Sequence, residues 1–517
     1  MGKADSAFRG KVWLIGAGPG DAGLLTVKGR EALREADVVV YDHLVGKDVL
    51  AMSDRGQTFI NVGKMAGHHP IPQDQINQIL IREAGKGKKV ARLKGGDPFL
   101  FGRGGEELEA LARRHIPFEV IPGVTSPLAV PAYAGIPVTH RDYASSLHIV
   151  TGHKKNGGQD GINYQALVDA KGTLVFLMGV TALEDITARL LDAGMDKDMP
   201  AAVLQEGTRA RQRQVVATVL TLAKEARQAK IEPPAIVVVG QVCRLSHTLS
   251  WYEKLPLAGM RVLLTRPREW MGEIAAKLRK RGAEVLEVPV IETVAIPDNE
   301  RLQEAFGRLE IYDWIVFTSQ TGVRIFFEAL EAAEIDIRHL HGIRFAVIGE
   351  GTKNALRKRG IYADLMPKEY EGEALANLLK EQGISGARIM IPRASRGNRQ
   401  LVPILEEAGG MVDDIPLYHT VYRECTGISM KEEIEGRGLD CVVFTSSSTV
   451  EGFAAISEGA DYSQIKAACI GRLTARTAEK YGMDCHIAQK ATVDDLVELV
   501  ERIRKTDGKE TEKITKQ

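Results

Sequence analysis

One segment of the chain combines a high density of glycine with charge, directly after a short apolar strand pattern. Residues 92–107 contain five glycines and one proline among two arginines, one lysine and three acids. Glycine at this density costs chain entropy on folding, so a structural turn alone gains little from it. We interpret the segment as a loop that brings backbone close to a ligand. The alternative is a glycine-rich turn on the surface.

The overall composition is that of a globular protein with several domains. Of the 517 residues, 44% are hydrophobic and 26% are charged. Lys+Arg and Asp+Glu both number 68, which disfavours nucleic acid as a partner because phosphate neutralisation needs a basic surface. Apolar runs such as residues 235–239 are too short to span a bilayer, and the first residues lack the apolar core of a secretory signal. We therefore expect a cytoplasmic protein without a membrane partner.

No metal site is predicted. His68 and His69 are adjacent, unlike a pair of ligands spaced along a helix. The five cysteines show no CxxC spacing, which favours free thiols in a reducing compartment. The charged residues 504–517 have little to bury and are predicted to form a disordered tail.

Alternating strand and helix patterns predict an α/β fold in both halves of the chain. Apolar strand patterns separated by helical ones run through residues 10–252, which we divide into subdomains near residue 135. Residues 253–258 look like a linker, and the alternation restarts at Arg261 and continues to residue 503.

The second half contains an internal sequence repeat. Residues 314–323 and 441–450 both pass from an apolar strand into Phe-Thr-Ser, and each is followed by a strand ending in Ile-Gly. Thr352 and Thr474 come next, at predicted helix starts, where threonine caps the helix or helps it to bind an anion. This repeat predicts two similar α/β lobes. The alternative is that two short strand–helix units are similar by chance.

A dinucleotide-binding loop is one interpretation of the first glycine motif. Gly16-Ala-Gly-Pro-Gly-Asp21 follows a strand pattern, and Asp42 ends the next strand, as in a NAD-dependent oxidoreductase. However, Asp21 stands where that fingerprint has glycine, and Pro19 removes a backbone donor.

Taken together, the motifs resemble the uroporphyrinogen-III C-methyltransferases of the tetrapyrrole methylase family over residues 10–252. The segments that carry the resemblance are residues 16–21, 41–45, 62–64, 92–107, 121–126, 132–141 and 151–153. The resemblance implies two α/β domains with S-adenosylmethionine bound between them, and methylation of uroporphyrinogen III at C2 and C7 to give precorrin-2. It also implies a homodimer through this half. Methylation of a later precorrin is the alternative.

The resemblance also implies roles for individual residues. It makes Asp42 the proton acceptor and Lys64 the proton donor, although alone they read as a helix cap and a surface amine. Met178 alone reads as core. The donor-binding residues that the resemblance implies are Pro19, Gly95, Gly96, Asp97, Leu100, Thr125, Ser126, Met178 and Gly207.

The tetrapyrrole substrate carries eight carboxylates, for which arginine forks are suited. Arg103 lies inside the glycine-rich segment, where solubility does not explain it, and Glu106 either positions it or holds a pyrrole N–H. Other candidate cations are Lys94, His140, Arg141 and Lys154.

Residues 259–503 resemble the uroporphyrinogen-III synthase family through motifs that include Leu263-Leu-Thr-Arg-Pro267 and the two Phe-Thr-Ser segments. The resemblance implies lobe one at residues 259–292 plus 422–503 and lobe two at 293–421. It implies closure of hydroxymethylbilane with inversion of ring D. Tyr418 is then a candidate proton donor or a half-buried strand residue. The candidate substrate-binding residues of this half are Arg266, Ser319, Thr352, Arg393, Ser446 and Thr474.

The resemblances predict a bifunctional enzyme of tetrapyrrole synthesis, because the product of the second half is the substrate of the first. Two other classes stay open on the residues alone. One is the NAD-dependent oxidoreductase, and the other is a non-catalytic binding protein with two duplicated lobes.

Overall fold

The structure is a computed structural model. It describes residues 10–53, 56–63, 71–152, 161–267, 271–396, 400–423, 428–436 and 438–515, with side chains described as far as residue 506. Four five-stranded sheets with flanking helices make up this part of the chain. The predicted α/β fold class is confirmed for both halves.

The first sheet is entirely parallel, in the order β3-β2-β4-β1-β5. Its inner strands are buried on both faces, which explains the continuous apolar sequence of residues 38–40. The elements in chain order are β1 (Lys11–Gly16), α1 (Val27–Glu35), β2 (Val38–Tyr41), α2 (Lys47–Leu50), β3 (Thr58–Asn61), α3 (Gln73–Gly85), β4 (Lys89–Lys94), α4 (Gly104–Ala112), β5 (Phe118–Ile121) and α5 (Ser126–Tyr133).

The second sheet is mixed, in the order β6-β7-β10-β8-β9. Only β6 and β7 pair in parallel, and the other neighbours are antiparallel. Its elements are β6 (Leu147–Thr151), α6 (Tyr164–Asp169), β7 (Thr173–Leu177), α7 (Leu183–Asp192), β8 (Pro200–Gln205), β9 (Arg213–Thr218), α8 (Leu222–Gln228), β10 (Ala235–Val239) and α9 (Ser246–Leu249).

The second half begins a third sheet, leaves it to complete a fourth, and then returns. The elements in chain order are β11 (Arg261–Leu264), α10 (Gly272–Lys280), β12 (Glu284–Glu287), β13 (Ile291–Ala295), α11 (Glu300–Phe306), β14 (Trp314–Phe317), α12 (Gln320–Ala332), β15 (Arg344–Val347), α13 (Glu350–Arg357), α14 (Gly372–Glu381), β16 (Arg388–Ala394), α15 (Leu401–Glu407), β17 (Met411–Tyr422), α16 (Met430–Glu435), β18 (Cys441–Phe444), α17 (Ser447–Ile456), β19 (Lys466–Cys469), α18 (Arg472–Glu479), β20 (Asp484–Ile487) and α19 (Val493–Thr515).

The third sheet is parallel throughout, in the order β12-β11-β18-β19-β20. The fourth sheet has the order β13-β17-β16-β14-β15, and only its β13–β17 pair is antiparallel. Strands β13 and β17 lie next to the two points where the chain passes between these sheets. In parallel sheets the strand ends that precede helices meet at one edge, so each sheet gathers its candidate residues there.

The last helix continues to Thr515, through a segment where the sequence predicts a disordered tail. The structure and the prediction differ because a helix satisfies its backbone hydrogen bonds internally and needs no apolar core. Glu, Lys and Arg also have good helix propensity. Within the described residues, no helix combines the length and the apolar character needed to cross a membrane.

Candidate active sites

Three glycine-containing segments meet at the carboxyl-terminal edge of the first sheet, after β1, β4 and β5. Gly96 N donates to Gly18 O at 2.7 Å, and Gly18 N donates to Gly96 O at 3.2 Å. A Cβ added to Gly16 would lie 2.5 Å from the Cα of Gly123. Because side chains there would push the segments apart, the close approach of backbone requires glycine. The result is a surface lined by backbone.

The carboxylate of Asp97 holds two of these segments together. Its Oδ1 accepts hydrogen bonds from Phe99 N at 2.9 Å and Leu100 N at 3.3 Å. Its Oδ2 accepts one from Gly123 N at 3.0 Å. Asp97 therefore orders its own loop and ties that loop to the segment after β5.

Helix α5 begins beside the same surface. A Cβ on Gly96 would lie 3.8 Å from Ser126 N and 4.0 Å from Thr125 Oγ1. Gly207 packs against this helix further along, since a Cβ there would lie only 2.2 Å from Cγ1 of Val130. Of the residues predicted to bind the methyl donor, six lie in the segments that meet here, with Pro19 next to Gly18 in the first segment, whereas Gly207 contacts α5 at Val130. The six are Gly95, Gly96, Asp97, Leu100, Thr125 and Ser126.

Met178 lies just after β7 in a strained conformation. Its φ is 54°, and its side chain is 51% exposed, so its interpretation as core is wrong. Such a φ costs a residue other than glycine about 1–3 kcal/mol. Glu206 and Thr208, on either side of Gly207, also have positive φ values of 46° and 71°. Positive φ values thus occur after β7 and β8, and also in the glycine-rich loop after β4, where Phe101 and Arg103 have φ values of 54° and 58°.

Asp42, the predicted proton acceptor, follows β2 beside a buried cation. Arg92 Nη1 lies 3.7 Å from Asp42 Oδ2, and Leu44 N donates to Asp42 Oδ1 at 3.1 Å. The Asp42 side chain is 23% exposed, while that of Arg92 is buried. The carboxylate thus has one side on the buried guanidinium and another open to the outside. Lys64, the predicted proton donor, lies outside the described residues.

A buried charge cluster beneath Asp42 is missing from the sequence-based prediction. Glu107 Oε1 accepts hydrogen bonds from Arg92 Nε at 3.2 Å, Lys94 Nζ at 3.1 Å and Gln73 Nε2 at 3.1 Å. Burial, followed by the charge of Arg92, lowers the pKa of Lys94. The prediction of Lys94 as an accessible cation is therefore wrong. The signal was the i, i+2 spacing of Arg92 and Lys94, which puts them on one face of a strand.

Arg103 and Glu106 form an exposed fork at the start of α4. Arg103 Nε and Nη2 donate to the two carboxylate oxygens of Glu106 at 2.8 and 2.7 Å. The hydrogen bonds that Arg103 donates to Glu106 raise the pKa of Arg103. Glu106 thus holds Arg103 in place. Arg141 is exposed as well, and Lys154 lies outside the described residues.

In the second half, Ser319 and Ser446 occupy equivalent places in two sheets. Ser319 follows β14 and caps α12, with its Oγ accepting Gly322 N at 2.9 Å. Ser446 follows β18 and caps α17, with its Oγ accepting Thr449 N at 3.3 Å. The two repeated Phe-Thr-Ser sequences therefore form the same strand–cap–helix unit. Serine suits the cap position because its hydroxyl satisfies an unpaired helix N–H.

In each of these sheets, two helices begin side by side. A Cβ on Gly351 in α13 would lie 2.2 Å from Nε2 of Gln320, the first residue of α12. In the other sheet, Oγ of Ser447, the first residue of α17, donates to the carbonyl oxygen of Leu473, the second residue of α18, at 3.4 Å. Adjacent helix N-termini present unpaired N–H groups and positive dipole ends, which suits carboxylates.

Thr352 and Thr474 are the third residues of α13 and α18, and each is only 4% exposed. The N-caps of these helices are Gly349 and Gly471. The prediction that the threonines cap the helices is therefore wrong. The repeat aligned both the threonines and the glycines before them, and the N-cap position belongs to the glycine that ends the strand, three residues before the threonine.

Tyr418 is a buried residue of β17 that lies against the cap of α12. Its hydroxyl is 2.9 Å from Ser319 Oγ, and burial raises its pKa, so it stays protonated. Arg393 is also buried and forks onto Asp414, with both N–O distances at 2.6 Å. Arg266 follows β11, where burial lowers the pKa of its guanidinium.

The two halves of the chain match two different families, and the matches lie on either side of the boundary between the second and third sheets. Residues 11–223 match the family Tetrapyrrole (Corrin/Porphyrin) Methylases. Residues 272–498 match the family Uroporphyrinogen-III synthase HemD.

The similar relatives include one that matches nearly the whole chain. The porphyrin biosynthesis protein HemD of Ruminiclostridium josui is 45% identical over 489 residues, which are 95% of this chain and 97% of the relative. The uroporphyrinogen-III C-methyltransferase of Bacillus subtilis (strain 168) is 40% identical over 363 residues, which are 70% of this chain and 74% of the relative. Among solved structures, the uroporphyrin-III C-methyl transferase from Thermus thermophilus, complexed with S-adenyl homocysteine, is 39% identical and covers 46% of this chain and 99% of its own, with a TM-score of 0.40.

Proposed function

Since the chain belongs to the family in which a tetrapyrrole methylase is joined to a uroporphyrinogen-III synthase, we propose that it converts hydroxymethylbilane to precorrin-2 through uroporphyrinogen III. The chain is an enzyme with both parts, and S-adenosylmethionine is its methyl donor. The alternatives of a NAD-dependent oxidoreductase and of a non-catalytic binding protein are therefore wrong.

The surface between Gly18 and Gly96 is the observation that carries the methyl-transfer proposal. It fits the donor because its glycines leave backbone accessible and its position is next to the N-terminus of α5. The carboxylate of Asp97 is compatible with a ligand that is cationic and has no phosphate, unlike a dinucleotide. S-adenosylmethionine supplies an electrophilic methyl group on its sulfonium when it is bound.

In this proposal, Arg103 binds a substrate carboxylate, and Asp42 accepts the proton that leaves the carbon bridge beside the methylated pyrrole. The guanidinium of Arg92, with Nη1 3.7 Å from Oδ2, orients the Asp42 carboxylate for this role. Lys64 is the proposed proton donor. An Asp42→Asn enzyme is expected to lose methyl transfer while it still binds S-adenosylhomocysteine, and full turnover of this variant would refute the assignment of the base.

For the second half, we propose that the paired helix N-termini near Ser319 and Ser446 bind the carboxylates of hydroxymethylbilane. The hydroxyls of Thr352 and Thr474 help to bind these carboxylates, and Arg266 and Arg393 add positive charge. Tyr418 donates a proton to the hydroxyl that leaves. The support is that each pair of helices starts at the carboxyl edge of its sheet. Loss of water and closure with ring D inverted then give uroporphyrinogen III.

One experiment tests both steps. The purified chain is given hydroxymethylbilane with and without S-adenosylmethionine, and the products are separated by mass and isomer. Uroporphyrinogen III is expected without the donor, and a dimethylated species with it. A chain that methylates only an added later precorrin would support the alternative methyltransferase instead.

We also propose the following boundaries and assembly. The methyltransferase occupies residues 10–252, the linker 253–258 and the synthase 259–503, with lobe two at 293–421. The proposed assembly is a homodimer through the methyltransferase half, which the exposed apolar side chains of Leu128, Leu249 and Trp251 support. The proposed location is the cytoplasm. Light scattering that gives the mass of one chain at micromolar concentration would contradict the dimer.

A further inference from the structure

The two halves of the chain meet at a group of charged residues that the proposed reactions do not use. We call Lys47, Asp48, Arg261, Glu284 and Glu433 the charged seam. Glu433 contacts Lys47 Nζ through Oε1 and accepts a hydrogen bond from Arg261 Nη1 at 2.5 Å through Oε2. Arg261 Nε lies 2.9 Å from Oε1 of Glu284. The Glu433 side chain is only 2% exposed and that of Arg261 15%, so water screens their contact less than at a surface. The Lys47 side chain is 47% exposed, so its contact with Glu433 is screened more.

A backbone hydrogen bond adds a second connection. Ala210 N, in the methyltransferase half, donates to Glu284 Oε2 at 2.9 Å. The two carboxylate oxygens of Glu284 are thus divided between the backbone of one half and Arg261 of the other. Ala51, which follows α2, packs against the buried side chains around the third sheet.

The residues that the seam holds belong to segments that form the proposed donor site. Lys47 and Asp48 open α2, directly after the loop that carries Asp42. Asp48 Oδ2 accepts Ala22 N at 3.0 Å, which anchors the end of the first glycine loop. Ala210 follows Gly207 and Arg209 in the segment that contacts α5.

Arg209 joins these segments to each other. Its Nη2 donates to the carbonyl oxygen of Leu44 at 2.9 Å, and a Cβ on Gly20 would lie 2.8 Å from its Cγ. Leu44 in turn packs on the donor-site backbone, since a Cβ on Gly95 would lie 2.8 Å from Leu44 Cβ. A continuous set of contacts therefore leads from the seam to Gly95.

We propose that Glu433 and Glu284, which belong to the synthase half, are positioning residues for methyl transfer. They hold the segments 42–48 and 207–210 against the glycine loops, so the donor site is complete only when the synthase half is docked. The inference rests on the proposed function of that site. Its physical basis is that loss of the Glu433 carboxylate leaves Lys47 without its contact in the other half, and loss of the Glu284 charge weakens the hydrogen bond from Ala210 N, so the segments that carry these partners are held less firmly.

The test compares Glu433→Gln and Glu284→Gln with Glu432→Gln, an exposed residue on the same helix, all in the full chain. The dissociation constant of S-adenosylhomocysteine is measured by calorimetry, together with turnover for methylation and for synthase activity. We expect the two seam variants to raise the dissociation constant by about tenfold, because small displacements of a binding group have effects of this size or larger. Synthase turnover and the Glu432→Gln control are expected to stay as in the wild type.

A second variant guards against simple unfolding of the third sheet. Lys47→Gln removes the contact from the methyltransferase side and leaves the Arg261–Glu433 pair in place. It is expected to weaken donor binding with synthase turnover unchanged, and Lys47→Arg is expected to restore binding. Folded variants that bind S-adenosylhomocysteine as tightly as the wild type would overturn the inference. A wild-type chain that does not bind this ligand would instead refute the proposed function.

Discussion

Asp97 Oδ2 accepts a hydrogen bond from the backbone N of Gly123 at 3.0 Å, and this bond joins the loop after β4 to the segment after β5. The other carboxylate oxygen accepts from Phe99 N and Leu100 N. One side chain therefore determines the spacing of two walls of the proposed donor site.

Asp97→Asn replaces one acceptor oxygen by an amide that cannot accept these bonds. We expect the affinity for S-adenosylhomocysteine to fall by about tenfold, since a hydrogen bond to a charged group contributes roughly 1.5–3 kcal/mol. Calorimetry measures the change. The matched control is Asp196→Asn, where the aspartate accepts Asp198 N at 2.9 Å in an exposed turn; equal losses in both variants would contradict a specific role of Asp97.

Gly207→Ala introduces a Cβ that would lie 2.2 Å from Cγ1 of Val130. The clash should displace α5 or the 207–210 segment, at a cost of about 1–3 kcal/mol as for other overpacked sites. Methylation is expected to fall while synthase turnover is kept. Adding Val130→Ala should restore much of the methylation, and Gly85→Ala, which meets no atom within 4 Å, serves as the control.

Arg103→Lys removes the planar fork that Glu106 positions. We expect the KM for the tetrapyrrole to rise by about tenfold, because a lysine cannot make the bidentate contact to a carboxylate. Donor affinity should not change. The exposed pair of Arg113 and Glu109 on the same helix offers the control Arg113→Lys, and a similar rise in that variant would mean that the effect is not specific to Arg103. An unchanged KM in Arg103→Lys would show that the positive charge alone is enough.

Tyr418→Phe separates the catalytic and structural interpretations of this residue. If the hydroxyl donates a proton, kcat of the synthase should fall by about 10²-fold or more. A structural role predicts only a loss of about 1 kcal/mol in the free energy of unfolding. Tyr462→Phe is the matched control, because Tyr462 makes a similar contact with Ser457 Oγ at 3.1 Å.

Asp48 should make the stability of the chain depend on pH. Burial, and then the charge of Glu284 across the seam, raise its pKa from 3.8 to about 6, against the opposing effects of Ala22 N, Arg209 and Arg279. The folded state therefore binds more protons than the unfolded state between these values, so stability falls as pH rises through about 6. The pKa difference corresponds to about 3 kcal/mol at most.

Asp48→Asn lacks this titration. The difference in the free energy of unfolding between the wild type and this variant should therefore grow in favour of the wild type as pH falls from 7 to 4. Denaturant unfolding at several pH values measures it, and subtraction of the variant removes the contribution of other carboxylates. A difference that is constant over this range would show that Asp48 does not titrate there.

The sequence was most informative where local chemistry determines structure. The repeated pattern of strand, Phe-Thr-Ser and helix could be recognised without the fold, because it lies within one short segment. The capping role of Ser319 and Ser446, each through an N–H three residues further on, was not predicted. The exposure of Met178 could not be predicted in this way. An apolar side chain after a strand lies either in the core or at a binding site, and the tertiary structure around it decides which. Its exposure follows from the backbone conformation at the end of β7.

From the sequence alone, the chain is predicted to be α/β in both halves, related to two tetrapyrrole enzymes, and equipped with glycine loops that can bind a ligand. These properties depend on residue order within short segments. Only the tertiary structure brings Glu433 to Lys47 and Glu284 to Ala210, across separations of 386 and 74 residues. The reason is that such contacts are set by how two folded halves pack, and no local pattern encodes the partner of a buried charge.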